Sequence, residues 1–158
     1  MQKVIFTVNT SPTENILGFQ DHVTVLDTQG KLAWSGMGSA LPNGTKNGES
    51  WLLHFGCLAP GSYRARVVIH EKYGRCILIE EAGRVPSRNP NPNHGGAYYL
   101  TEVFVHAANV GYNNPLWRGS AGCPTIHRDH FESFMDSLTD GELSLHIVDA
   151  TIPRDISF

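Results

Sequence analysis

Apolar and polar residues alternate along several stretches of the chain, and this period of two is typical of strands with one buried face. The clearest stretch is residues 63–70, in which every odd-numbered position is apolar, and residues 143–147 repeat the pattern near the end. Residues 4–8 are β-branched or aromatic, which also favours a strand. Residues 23–34 predict a hairpin that turns at Gly30.

Two stretches rich in Gly, Pro, Asn or Ser predict loops, residues 35–50 and residues 83–97. Two short apolar runs predict further strands: residues 76–79, which follow a turn at 71–75, and residues 103–105, which end at His106. These elements together predict a mainly β chain with many connections.

A helical period is found at residues 128–138. Phe131, Phe134, Met135 and Leu138 fall at i, i+3, i+4 and i+7, which makes one apolar stripe. We therefore predict a single domain over residues 1–158, a β-sandwich or distorted barrel with one packed helix.

Composition supports a globular domain and excludes some functions. Hydrophobic residues make up 41% of the 158 residues and charged residues 17%, which is not the composition of a disordered chain. The formal net charge of -3 argues against non-specific nucleic-acid binding. No apolar run approaches the ~20 residues that span a bilayer, and the first residues predict no signal peptide.

The three cysteines are Cys57, Cys76 and Cys123, and they form no CxxC motif. An odd number leaves at least one thiol free and argues against a disulfide scaffold or a zinc ribbon. We expect Cys57 and Cys76 to be buried packing residues. The third cysteine follows four small residues, Gly-Ser-Ala-Gly, where the backbone can come close to a ligand.

Cys123 has two interpretations, a small buried hydrophobe or a nucleophile. A nucleophilic thiol needs a neighbouring base, and His106 ends a strand 17 residues earlier. Taken alone, His106 is better explained as a core histidine that is hydrogen-bonded to the backbone. Cys123, His127 and His130 also have a spacing that zinc can use, although spacing without context is weak evidence.

The pair Val105-His106 and the segment from Gly119 to Cys123 together resemble the signature of L,D-transpeptidase catalytic domains, the YkuD-like family. That signature is a histidine, a spacer of similar length, and then Ser/Thr-x-Gly-Cys. The helix and strand predicted after Cys123 follow the family's order of elements. The specific motif covers about residues 103–138.

The resemblance implies a cysteine-dependent acyl transfer on peptidoglycan stem peptides, without metal or organic cofactor. Cys123 would form a thioester with a stem-peptide carbonyl, and His106 would carry the proton. The Ala107 backbone carbonyl would orient His106, and the backbone N–H groups of Gly122 and Cys123 would stabilise the oxyanion.

The chain departs from the family at two places. Family members often carry His where this chain has Ala121. They often follow the cysteine with an apolar residue and then Arg or Asn, where this chain has Pro124-Thr125. Arg118 or Arg128 would have to replace that arginine. The residues expected to contact substrate are Ser120, Arg118, Trp117, Tyr98 and Thr125.

The sequence thus predicts an L,D-transpeptidase or L,D-carboxypeptidase that acts in the periplasm or cell wall. The departures and the lack of a signal peptide suggest a phage lysis protein or an injected antibacterial effector, with an immunity or delivery protein as partner if it is an effector. The alternative is a non-catalytic β-sandwich that binds cell wall or glycan and retains the motif as a relic.

Overall fold

A barrel of eight strands forms the body of the protein in a computed structural model, which describes residues 1–10, 21–41, 45–46, 49–50, 54–108, 122–139 and 141–150. The strands are β1 (Gln2–Val8), β2 (Asp21–Leu26), β3 (Leu32–Ser39), β4 (Thr45–Lys46), β5 (Glu49–Ser50), β6 (Gly61–His70), β7 (Gly74–Ile79), β8 (Val85–Asn91), β9 (Ala97–Leu100), β10 (Phe104–Ala107), β11 (Thr125–Ile126) and β12 (Glu142–Asp149).

The barrel closes in the order β1-β12-β6-β7-β10-β11-β3-β2. Its neighbours are antiparallel except for two parallel pairs, β1 with β12 and β10 with β11. The strand order therefore places β12 beside β1. It also places β10, which carries His106, beside β11, the short strand that follows Cys123.

Alternating apolar residues of the strands fill the barrel interior. In β1, the side chains of Val4, Phe6 and Val8 are buried while the intervening residues are partly exposed. β12 shows the same alternation at Leu143, Leu145 and Ile147, a pattern expected of a sheet with one face on the core. The predicted fold class, a mainly β domain with one packed helix, is confirmed, and the barrel is the form that the structure takes.

The helix is shorter than the predicted residues 128–138. A 3₁₀ turn at Arg128–His130 leads into α1 (Phe131–Asp136). The helix ends early because its last turn tightens: the Ser137 hydroxyl donates to the Phe134 carbonyl at 2.6 Å, and the Leu138 N–H donates to the Met135 carbonyl at 3.0 Å. The apolar stripe was predicted correctly, since its first three members are buried and Leu138 packs against the core. No helix in the described ranges is long and apolar enough to cross a membrane.

The prediction of a loop at residues 83–97 was wrong, because β8 and β9 form a hairpin there. Pro90 is tolerated because the register is irregular between Pro86 and Asn91. The Asn91 side-chain amide also donates to the Tyr99 carbonyl at 3.0 Å, which replaces a ladder bond. The predicted loop at residues 35–50 was likewise too long, since β3 continues to Ser39 and β4 pairs with β5.

Asp21 fastens the start of β2 to two other segments. One carboxylate oxygen accepts the Asn9 N–H at 2.8 Å, and the other accepts the Ala40 N–H at 2.6 Å. The side chain is only 3% exposed. Burial raises its pKa to about 6, although the two hydrogen bonds and the nearby Arg88 oppose the shift.

This raised pKa predicts a pH-dependent loss of stability. The native state holds the proton of Asp21 more tightly than the unfolded chain, whose carboxyl titrates near 3.8. The contribution of Asp21 is therefore complete below pH 3.8 and is lost as the pH rises through 6. Relative to Asp21→Asn, which does not titrate, the protein should lose about 2–3 kcal/mol of unfolding free energy over that interval. Urea unfolding at a series of pH values measures this difference, and a difference that stays constant with pH would contradict the assignment.

Candidate active site

The parallel pairing of β10 with β11 brings the strand of His106 beside the short strand that begins two residues after Cys123. His106 is the register partner of Thr125, and its N–H donates to the Pro124 carbonyl at 3.3 Å. Cys123 precedes that carbonyl by one residue, and its thiol receives a hydrogen bond from the Phe104 backbone. The thiol therefore lies beside the strand that carries the imidazole, two residues from it along β10.

The His106 imidazole is held in one tautomer by its own strand. Its Nδ1 lies 2.8 Å from the Ala107 carbonyl oxygen. Because a carbonyl only accepts, Nδ1 carries the proton and the lone pair of a neutral ring is on Nε2. The resemblance implies this hydrogen bond, and the structure has it; the catalytic role of the histidine stays a prediction.

Burial determines the charge of His106. The residue is only 8% exposed, and desolvation lowers its pKa below the ordinary 6.5; the Ala107 hydrogen bond opposes this shift, whereas Lys72 and His70 add to it. His106 is therefore neutral at pH 7, the protonation state in which an imidazole accepts a proton.

Cys123 is partly buried, and its burial raises the pKa of the thiol above the ordinary 9.0. The hydrogen bond from the Phe104 backbone and the positive charge of Lys72 act in the opposite direction. At pH 7 the site therefore holds a neutral thiol beside a neutral imidazole, not a preformed thiolate–imidazolium pair. When both groups are neutral, the base has to take the thiol proton during the attack on substrate.

Gly122 shapes the bend that presents Cys123. Its φ is +118°, a conformation that side chains rarely adopt. A Cβ atom there would also lie 3.2 Å from the Gly56 carbonyl oxygen and 3.3 Å from Leu100 Cδ2. The φ angle therefore disfavours any other residue here, and a side chain would also require both neighbours to shift by a few tenths of an ångström. The expected role of the Gly122 and Cys123 N–H groups as an oxyanion hole stays a prediction.

An aromatic wall beside His106, formed by Tyr73, His70 and Phe104, was not predicted from the sequence, because residues 71–75 were assigned only to a turn. The Tyr73 ring stacks on the His106 ring, with centroids 4.1 Å apart and planes 8° apart. His70 and Phe104 lie 4.9 and 5.8 Å from the same tyrosine ring. The available signal was indirect: an aromatic residue at the turn of a hairpin whose second strand pairs with the strand of His106.

The expected substrate-contacting residues have different fates. Arg118, Trp117 and Ser120 lie outside the described residues. Tyr98 lies on β9 with 62% of its surface exposed. Thr125 is only 1% exposed, and its hydroxyl donates to the Ser39 carbonyl at 3.4 Å, so this side chain contributes to the hydrogen bonding between the strands of the barrel. Contact of Tyr98 or Thr125 with substrate stays a prediction.

The other two cysteines are buried, as predicted, and all three are free thiols. Burial raises the pKa of Cys57 to about 12 and that of Cys76 to about 11. His127 and His130, considered above as zinc ligands, have ring centroids 5.0 Å apart. Within the described part of the chain, no three His, Cys, Asp or Glu residues come together as a metal site.

No protein-family model and no curated protein matches this chain. The resemblance to L,D-transpeptidases therefore depends on the motif in residues 103–138 alone.

The three thiols should differ in reactivity. In the native protein, iodoacetamide should label Cys123 at least ~10-fold faster than Cys57 or Cys76, because only Cys123 is partly exposed and the other thiols are both buried and shifted to high pKa. Because the pKa of Cys123 is also raised, its labelling rate should keep increasing above pH 9.0. Peptide mapping by mass spectrometry after timed labelling gives the three rates.

The Cys123→Ser variant provides the control, since it should take up the reagent only after unfolding. Equal rates for the three thiols in the native protein, or faster labelling of Cys57, would show that Cys123 is not the accessible thiol of this fold.

Proposed function

We propose that the protein is a cysteine acyltransferase or peptidase that acts on peptidoglycan stem peptides, an L,D-transpeptidase or L,D-carboxypeptidase. The observation that supports it is the Nδ1 hydrogen bond of His106 to the Ala107 carbonyl at 2.8 Å, on the strand beside Cys123. This contact leaves the lone pair of the neutral ring on Nε2, and the thiol of Cys123 lies against the Phe104 backbone, two residues earlier on the same strand. The substrate class comes from the motif resemblance.

In the first half of the reaction, Nε2 of His106 takes the thiol proton while the Cys123 sulfur attacks the carbonyl of a stem-peptide bond. The negative charge that develops on the carbonyl oxygen is stabilised by the N–H groups of Gly122 and Cys123. Loss of one such donor typically costs about 10²–10³ in rate. Gly122, whose φ of +118° is rarely adopted by other residues, forms the bend that carries those two N–H groups.

In the second half, the protonated imidazole gives its proton to the leaving amine, and the C–N bond breaks to leave a thioester on Cys123. Attack by an amine of another stem peptide forms a cross-link and makes the protein a transpeptidase. Attack by water releases a shortened stem and makes it a carboxypeptidase. In either case His106 returns to the neutral state and the thiol is regenerated.

A neutral resting pair suits this sequence of proton transfers. A base with a lowered pKa is already unprotonated at pH 7, and burial strengthens the hydrogen bonds that the developing charges need. A binding module needs neither a defined tautomer nor a neighbouring thiol. The fixed tautomer of His106 therefore favours the enzyme over the cell-wall or glycan-binding alternative.

Activity should depend on both side chains. With tetrapeptide muropeptides, the protein should yield tripeptides if it hydrolyses, or dimers and exchanged terminal D-amino acids if it transfers, as read by mass spectrometry. Cys123→Ala should abolish product formation. His106→Gln should lower kcat by about 10²–10⁴, the usual contribution of a general acid–base. The rate should fall only below pH 6.5, because the pKa of His106 is lowered.

Cys57→Ala serves as the matched control, since it removes a buried thiol that the proposed mechanism does not use, and it should retain turnover. If the wild-type protein and Cys123→Ala bind muropeptides equally and neither forms product, the protein is a binding module and the proposal is wrong.

A further inference from the structure

We propose that Tyr73 is a positioning residue for the His106 imidazole, whose ring plane it fixes by stacking so that Nε2 keeps one direction beside Cys123. The inference rests on the proposed function for its catalytic consequence. Its structural part, the control of one histidine ring by one tyrosine ring, can be tested separately.

The contact between the two rings is close and nearly parallel. Their centroids lie 4.1 Å apart and their planes differ by 8°. Aromatic pairs usually have centroids about 4.5–7 Å apart, so the separation of this pair is shorter than that range. By comparison, the stacked pair His94–Tyr99 has centroids 4.5 Å apart and planes that differ by 22°.

Tyr73 is itself fixed on two sides. Its ring lies 4.9 Å from the His70 ring and 5.8 Å from the Phe104 ring, and those two rings lie 4.8 Å from each other. Phe104 and His106 are two residues apart on β10 and therefore lie on one face of the sheet. Tyr73 thus covers that face from the turn between β6 and β7.

Two constraints together define the orientation of the imidazole. The hydrogen bond from Nδ1 to the Ala107 carbonyl fixes one edge of the ring. Stacking on Tyr73 fixes the plane, so a rotation out of that plane would lose the contact. A half-turn of the ring would place a carbon against the carbonyl oxygen and lose the hydrogen bond. With both constraints present, Nε2 has one direction.

The groups around His106 indicate what the removal of Tyr73 would change. Lys72 and His70, from the same end of the hairpin, disfavour the protonated ring, as does burial. Cys123 and Cys76 lie close enough to the Tyr73 hydroxyl to raise the pKa of the phenol, after burial itself. Removing the Tyr73 ring admits water to the imidazole and leaves Lys72 and His70 in place, so the pKa of His106 should rise toward 6.5.

The experiment compares the full-length protein with Tyr73→Ala and Tyr73→Phe by ¹⁵N NMR of the histidine rings. Wild type and Tyr73→Phe should both show His106 as the Nδ1–H tautomer with the same lowered pKa, since both keep the stacked ring. Tyr73→Ala should show a mixture of tautomers and a higher pKa. Tyr99→Ala, which removes the ring stacked on His94, should leave His106 unchanged. Thermal unfolding checks that each variant is folded.

The activity measurement has a separate outcome. Tyr73→Ala should lower kcat by about 10²-fold, the typical cost of a misplaced catalytic group, with little change in KM and with an acid limb shifted to higher pH. Tyr73→Phe should restore wild-type kcat.

If the wild-type protein has no turnover but the NMR changes occur, the proposed function fails and the positioning role stands. A single Nδ1–H tautomer and an unchanged titration of His106 in folded Tyr73→Ala would overturn the role of Tyr73. If Tyr73→Ala does not fold, the Tyr73→Phe and Tyr73→Leu spectra decide the question, because only phenylalanine keeps the stacked ring.

Discussion

The candidate site depends on one structural constraint, the closure of the barrel by the parallel pairing of β10 with β11. β11 has only two residues, and it is held between β10 on one side and β3 on the other. β3 can approach closely because Gly38 lies there: a Cβ atom at this position would lie 2.6 Å from the Thr125 carbonyl oxygen. Two parallel neighbours require a crossover connection of about a dozen residues or more, and residues 108–124 supply it. The number of residues between His106 and Cys123 is therefore that of a crossover connection, and the pairing of β10 with β11 brings the two ends of this connection together.

Burial in the same region determines how the site can work. It lowers the pKa of His106 and raises the pKa of Cys123, so that neither group is charged at pH 7. Lys72 is the basic residue that affects both groups; it disfavours the imidazolium and favours the thiolate. In the proposed mechanism the thiol is therefore deprotonated only during the attack, when the imidazole would take its proton and the main-chain amides would stabilise the oxyanion. The aromatic wall around Tyr73 maintains this environment, since it limits the access of water to the ring.

The sequence predicted those parts of the fold that have a local cause. Strands with one buried face, such as residues 63–70, and the stripe of Phe131 and Phe134 follow directly from side-chain periodicity. The hairpin of β8 and β9 was missed because Pro86 and Pro90 argue against strands; the register irregularity between Pro86 and Asn91 accommodates Pro90. The predicted helix was too long because the hydroxyl of Ser137 donates to the Phe134 carbonyl and so ends the helix early. Tyr73 was missed because its contact with His106 joins residues that are far apart in the sequence, so that the only signal in the chain was indirect. The buried environment of Thr125 likewise depends on its long-range contact with Ser39.

The most direct measurement of the central claim is the intact mass of the protein after brief mixing with a tetrapeptide muropeptide and an acid quench. A thioester adds the mass of the substrate and subtracts that of the departing D-amino acid, since the thiol hydrogen leaves with the amine. We expect this adduct in the wild-type protein, with the modified peptide containing Cys123, and none in Cys123→Ala. A protein that binds the muropeptide but never carries the adduct, or carries it on Cys57 or Cys76, would contradict the account.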